Sequence, residues 1–170
     1  MNTQEYIIGK QKSWSQSNGF NCIGSKGIKG AKNYVENLQN NFFCTLSTES
    51  KKNIEQGDGN ELRSNGYPCS LQALHSSCAI EVNFFEYWRN KKVFNLIAKM
   101  LNLPSKNIDF INYEEKFPVY EKSSGNEKVP NIDVCFHYST GNIVGIECKF
   151  TEPFNKREQY YLGIKEKYFM

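Results

Sequence analysis

An α+β fold is predicted for this 170-residue chain by three observations. Apolar residues recur at helical spacing from Leu71 to Phe85, and a second helical stretch follows until Leu103-Pro104 stops it. Beyond that proline, three short runs carry the β-branched and aromatic residues suited to strands. Helices followed by strands, instead of alternating with them, define the α+β class.

Taken in order, the first 69 residues are the least regular and read as an irregular and partly helical extension (1–69) to a core over 70–170. Gly24-Ser25-Lys26-Gly27-Ile28-Lys29-Gly30 looks like a phosphate loop. No Gly-Lys-Ser/Thr closes it and no strand precedes it, so it reads as an ordinary loop. A helix is expected over Ala31–Phe42, with Tyr34, Val35, Leu38 and Phe42 on one face. Ser50–Gly66 is polar and holds the turn Gly57-Asp58-Gly59.

From Ser70 the pattern tightens. Leu71, Leu74, Cys78, Val82 and Phe85 predict a helix over Leu71–Asn90, flanked by Trp88, and Val93–Leu101 predicts a second. Ile108–Tyr113 reads as a strand, with Glu114 and Glu115 as its solvated end. A charged loop, Lys122–Lys128, leads to two further strands, Ile132–Tyr138 and Ile143–Phe150. Arg157–Phe169 is a last helix, with Tyr160, Tyr161, Ile164 and Tyr168 on one side.

Composition bounds the function. Hydrophobic residues are 39% and aromatics 14%, enough for a core and against disorder. A net charge of +3 neither demands nor forbids a nucleic-acid partner, because clustered basic charge is what matters there. No apolar run reaches the ~18 residues of a membrane span, and Met1–Lys10 lacks a signal-peptide pattern. The six cysteines are spread without a C-x-x-C pair, and no Asn lies in a glycosylation sequon. A cytoplasmic location is expected.

Chemistry concentrates in the last two strands. Ile132, Val134, Phe136 and Tyr138 share one face of the first, and Asp133, Cys135 and His137 the other. In the second, Val144, Ile146, Cys148 and Phe150 alternate with Glu147 and Lys149. Both strands of a hairpin must agree on the buried face, so Asp133, Glu147 and Lys149 share the opposite one. This parity requires a loop with an odd number of residues, with Gly141 or Asn142 left-handed. Pairing Tyr138 with Asn142 sets Asp133 opposite Glu147, whereas pairing Ser139 with Ile143 sets it opposite Lys149. Either way the three side chains converge. Two converging carboxylates repel unless a cation or proton intervenes, and oxygen ligands favour a hard ion such as Mg²⁺. Such an ion with a nearby lysine suits phosphodiester hydrolysis. The competing reading is a solvent-facing hairpin whose Asp, Glu and Lys form a weak ion pair.

Pro130-Asn131-Ile132-Asp133 followed by Glu147-Cys148-Lys149 resembles the PD-(D/E)XK motif of restriction-endonuclease-like nucleases. The proline half is degenerate, because the Asp does not touch the proline, whereas the E-x-K half is intact. The resemblance covers about 70–169 and includes Leu74-His75-Ser76-Ser77 leading into Asn83-Phe84-Phe85, which is similar to an uncharacterised bacterial subgroup. It implies a nuclease-like core over 70–170 with a mixed central sheet flanked by helices, truncated at its C-terminal end by the absence of a further strand. It also implies that Asp133 and Glu147 ligate Mg²⁺, with Mn²⁺ able to substitute, and that Lys149 positions or activates water. Glu81, the sole acidic residue in Cys78–Phe85, is the candidate for the carboxylate that the first core helix often adds. Cys148 is expected on the buried face as a small hydrophobe.

Other candidates follow from position. His137, on the charged face, and Glu152, just past the strand, are candidates for supporting the site or touching substrate. Lys156, Arg157 and Lys165 place basic charge beside it, and Tyr160 is available to stack on bases. The expected activity is metal-dependent cleavage of DNA by an endonuclease. The alternative is a non-catalytic module of the same fold that binds DNA or a protein. A homodimer or a missing C-terminal segment is expected to complete the sheet, since a bare edge is an aggregation liability.

Overall fold

Among the described residues, four α-helices and two small antiparallel sheets give an α+β arrangement. The computed structural model describes residues 3–29, 33–57, 59, 61–64, 67–117 and 129–150. Helix α1 is Thr3–Ser17, and strands β1 (Cys22–Ile23) and β2 (Tyr34–Val35) pair with each other. Helices α2 (Thr48–Gln56), α3 (Ser77–Lys91) and α4 (Phe94–Met100) follow. Strands β3 (Ile108–Lys116), β4 (Asn131–Tyr138) and β5 (Ile143–Ile146) form the second sheet in the order β3-β4-β5. No described helix is long and apolar enough to cross a membrane.

The core lies between this sheet and the helices. Val82 and Phe85 of α3 and Ile97 of α4 meet Ile111, Val134 and Phe136 of the sheet, with Leu46, Ile54 and Leu71 completing the cluster. Residues from both sides of position 70 therefore share one core. A buried ionic network ties α2 to α3 and β3. Glu86, fully buried, accepts from Ser47 N (2.9 Å), Ser50 Oγ (2.7 Å) and Tyr113 Oη (3.2 Å). Arg89 donates to Ser47 Oγ, Ser50 Oγ and the Ile111 carbonyl, and pairs with Glu49.

Several elements differ from expectation. Residues 33–42 do not form a helix: Tyr34 and Val35 are in a strand, and Leu38–Asn41 is a 3₁₀ turn. Aromatic and β-branched residues favour the strand, while Asn37 accepts from Gln39 N and Asn41 donates to the Leu71 and Ala73 carbonyls. The helix expected over Leu71–Asn90 is interrupted. Ser70–Gln72 is a 3₁₀ turn, and α3 starts where Ser76 caps it by accepting from Ala79 N (3.1 Å). Helices α1 and α2 occupy a stretch expected to be mostly irregular; in α2 the only buried apolar residue is Ile54, so the periodic signal is weak.

The hairpin adopts one of the two registers that parity allows. His137 pairs with Ile143 and Val134 with Ile146, and Tyr138 N donates to the Asn142 carbonyl (3.0 Å). The loop is Ser139-Thr140-Gly141, with Gly141 left-handed at φ 82°. Strand β5 stops at Ile146 instead of running to Phe150, because Cys148 N donates to the Asp133 side chain (2.6 Å) and not to a neighbouring strand. All described strand pairs are antiparallel; a parallel pair would need a crossover connection, and none is found among the described residues. The helix expected over Arg157–Phe169 and any further covering of the β5 edge lie outside the described residues.

Candidate active site

Asp133 sits in the central strand, and the two ladders define its neighbours. On one side the pairs Tyr113–Val134 and Glu115–Ile132 bracket Glu114 opposite Asp133. On the other, the register of Val134 with Ile146 carries forward to Glu147 opposite Asp133. Three carboxyl-bearing residues thus stand at one level across the sheet. Helix α3 adds a fourth from above, Glu81, which is 2% exposed.

The side chains meet closely. Donor atoms of Glu81, Asp133 and Cys148 lie within 4.8 Å of one another, as do those of Cys78, Glu81 and Glu114. Lys149 Nζ lies 2.9 Å from Glu147 Oε2 and 3.5 Å from Asp133 Oδ2. A cleft of about 330 Å³ opens beside them, lined by Gly59, Glu61, Ser77, Cys78, Glu81, Glu114, Asn131 and Asp133. Glu114 enters it through a left-handed backbone at φ 50°, accepts from the Asn131 amide, and packs where a Cβ on Gly57 would lie 2.9 Å from its own Cβ. Asparagine and aspartate tolerate this conformation better than glutamate, so Glu114 carries backbone strain where it enters the cleft.

Crowding of like charge governs the electrostatics. Burial first, then Asp133, Glu114 and Glu147, push the Glu81 carboxyl well above the ordinary range. Burial and the charges of Asp133, Glu61 and Glu147 push Glu114 up to about 7. Burial also raises Glu61. Asp133 is raised by burial and by Glu147, against the lowering effect of the Cys148 amide and Lys149. Burial works to lower Lys149, but its contacts with Glu147 and Asp133 outweigh that and hold it above its ordinary value. Burial pushes the Cys148 thiol up to about 12.

Glu81 and Glu86, both buried on α3, make an instructive contrast. Every described partner of Glu86 donates to it, whereas Glu81 Oε1 and Asn131 Oδ1 are buried without a hydrogen-bond partner among the described residues. Two acceptors lining one acidic cleft without donors form a donor set suited to a cation.

The sequence-predicted residues distribute unevenly. Asp133, Glu147, Lys149 and Glu81 come together. His137 stands apart: its Nε2 lies 2.6 Å from Glu115 Oε2 and its ring stacks on Phe110 at 4.3 Å. Cys148 is partly buried against the core cluster, yet its sulfur also faces the carboxylates. Glu114 is not a solvated strand end but part of the cleft wall, because its backbone turns it inward. Glu61 and Cys78 join it there without having been singled out in the sequence. Cys78 and Glu81, three apart on one helix, carried a weak signal; Glu61 carried none. Glu152, Lys156, Arg157, Tyr160 and Lys165 lie outside the described residues.

A larger cleft, about 750 Å³, lies on the opposite side of α3 against Ala79, Ile80 and Asn83. Aromatic and amide side chains such as Trp14, Phe43 and Gln39 line it, with no carboxylate among them, whereas the smaller cleft gathers the carboxyl groups. No curated protein and no solved structure matches the chain. A family model does, over residues 8–167, nearly the full length and including every residue of the cleft. The chain therefore belongs to the family described as restriction endonuclease associating with ARP.

Proposed function

We propose that this chain is a metal-dependent nuclease of the PD-(D/E)XK type that hydrolyses DNA phosphodiester bonds. The observation that carries this reading is the convergence of Asp133, Glu147 and Lys149 on one point, with the Glu81 carboxyl beside Asp133 and its buried Oε1 without a partner among the described residues. The carboxylates fit Mg²⁺, with Mn²⁺ as a substitute: Asp133 and Glu147 would hold it from the sheet and Glu81 from α3. When bound, such an ion polarises a phosphoryl oxygen and makes water a stronger nucleophile.

The chain's own groups have distinct jobs in this reading. Asp133 is held by the Cys148 amide through Oδ2, which fixes its carboxyl plane and leaves Oδ1 for the ion. Lys149 remains charged, so it orients the attacking water and offsets charge that builds on the phosphate. The acidic cleft by itself repels DNA, so cation binding must precede substrate binding. The family's description also names an association with ARP, which favours a protein partner for this chain beside DNA. In the alternative reading the fold binds DNA or a protein partner and does not cut.

The test is cleavage of plasmid, linear and single-stranded DNA with Mg²⁺ or Mn²⁺, run beside Asp133→Asn and Lys149→Ala. Both variants are expected to lose on the order of 10²–10³ in rate, the range for losing one electrostatic stabiliser, while keeping the wild-type melting temperature within a few degrees. DNA binding without cleavage under either ion would favour the non-catalytic alternative.

A further inference from the structure

Glu81 belongs to two groups of donor atoms, and only one of them serves the proposed nuclease centre. Toward β5 it meets Asp133 and Cys148; toward β3 it meets Cys78 and Glu114, with all three donor atoms of that second set within 4.8 Å of one another. Cys78 and Glu81 are three residues apart on α3, so both project from the same face. Cys78 is 6% exposed and Glu81 2%, and the carboxyl oxygen Oε1 of Glu81 has no described partner. Each set pairs one thiol with two carboxyl groups, Cys148 on the Asp133 side and Cys78 here, but only Cys78 is buried and shares its helix with Glu81. Sulfur selects a softer ion, and one thiolate with two carboxylates plus water suits four-coordinate zinc.

We propose that Cys78, Glu81 and Glu114 form a second cation position for a thiophilic divalent ion such as Zn²⁺, and that its occupancy withholds Glu81 from the Asp133 side. This rests on the nuclease reading only for its regulatory consequence. Ligand atoms around tetrahedral zinc stand about 3.5 Å apart, and the three donor atoms already lie within 4.8 Å of one another. The Cys78 thiol loses its proton to solvent as the sulfur–metal bond forms. Glu114 is positioned for this by its left-handed backbone, and the partnerless Asn131 Oδ1 lies in the same cleft. Because Glu81 is shared, the two positions compete: zinc on the Cys78 side opposes Mg²⁺ on the Asp133 side.

The experiment uses Cd²⁺ and Co²⁺ as spectroscopic probes on the full chain, without DNA. The expected result is an ultraviolet sulfur-to-metal charge-transfer band at one equivalent of metal, present in the wild type and in Cys148→Ala. The band should be lost in Cys78→Ala and its titration weakened at least tenfold in Glu114→Gln, which keeps the proposal testable if Cys78→Ala folds poorly. Absence of the band, or its persistence in folded Cys78→Ala, would overturn the proposal. Zn²⁺ should also inhibit Mg²⁺-supported cleavage, with the half-inhibiting concentration raised at least tenfold in Glu114→Gln. Because the band is read without substrate, its failure is distinct from a failure of the nuclease reading, which shows only in cleavage.

Discussion

Glu81 and Glu86 occupy the same helix, the same degree of burial and opposite roles. Glu86 is balanced by Arg89 and by donors from α2 and β3, so removing it leaves Ser50 and Tyr113 without their acceptor and a nearly buried guanidinium with only the exposed Glu49 as counter-charge. Glu86→Ala should cost about 3–5 kcal/mol, measured by urea denaturation, as for other broken buried pairs. Glu81 is instead surrounded by acidic groups and has no described donor on Oε1. Glu81→Gln should leave the metal-free protein as stable as the wild type, or more so, while weakening Mg²⁺ binding in calorimetry by at least about tenfold. Equal loss of stability in both variants would contradict this contrast. Asp133, Glu147 and Lys149 were legible in the sequence because alternation assigns them one face, although the strand ends at Ile146 and the Cys148 amide's bond to Asp133 carries the approach onward. Glu114 was not: its inclusion depends on a left-handed backbone and on a β3–β4 register across a long connection, neither of which has a local sequence signal.

The hairpin is the element that assembles the site. Its three-residue loop sets Asp133 against Glu147, and Gly141 makes that loop possible at φ 82°. Gly141→Ala should destabilise by about 1 kcal/mol or more, and any slip of register would separate the two carboxyl groups, so cleavage should fall further than stability. A variant with lower stability but full activity at a temperature where it is folded would show that the register has other supports. The alternation of apolar and charged residues was sufficient to predict this hairpin and to narrow its register to two choices. The polar N-terminal helices were harder to foresee. In α2 a Ser47 cap and the buried Ser50–Glu86 contact replace the usual apolar stripe, so the helix is held by tertiary hydrogen bonds that no periodicity reveals.

At the scale of the whole molecule, the acidic cleft is a cost to the fold that the proposed cation would relieve. Glu61, Glu81, Glu114 and Asp133 all hold protons more tightly in the folded protein than in the unfolded chain. At these four groups the folded state binds more protons, so their contribution to stability is fully present below the ordinary carboxylate range and is lost as pH rises, for Glu114 through about 7. The melting temperature without divalent ions should drop between pH 5 and pH 8 at constant ionic strength. Added Mg²⁺ or Mn²⁺ should reverse that drop, by about 2.7 kcal/mol at a hundred times the dissociation constant. A melting temperature that rises with pH and ignores divalent ions would contradict this account. The central claim is tested most directly by plasmid cleavage with Mg²⁺ or Mn²⁺, comparing the wild type with folded Asp133→Asn. The account predicts nicked or linear product from the wild type alone, abolished by chelation; equal cleavage by both proteins would contradict it.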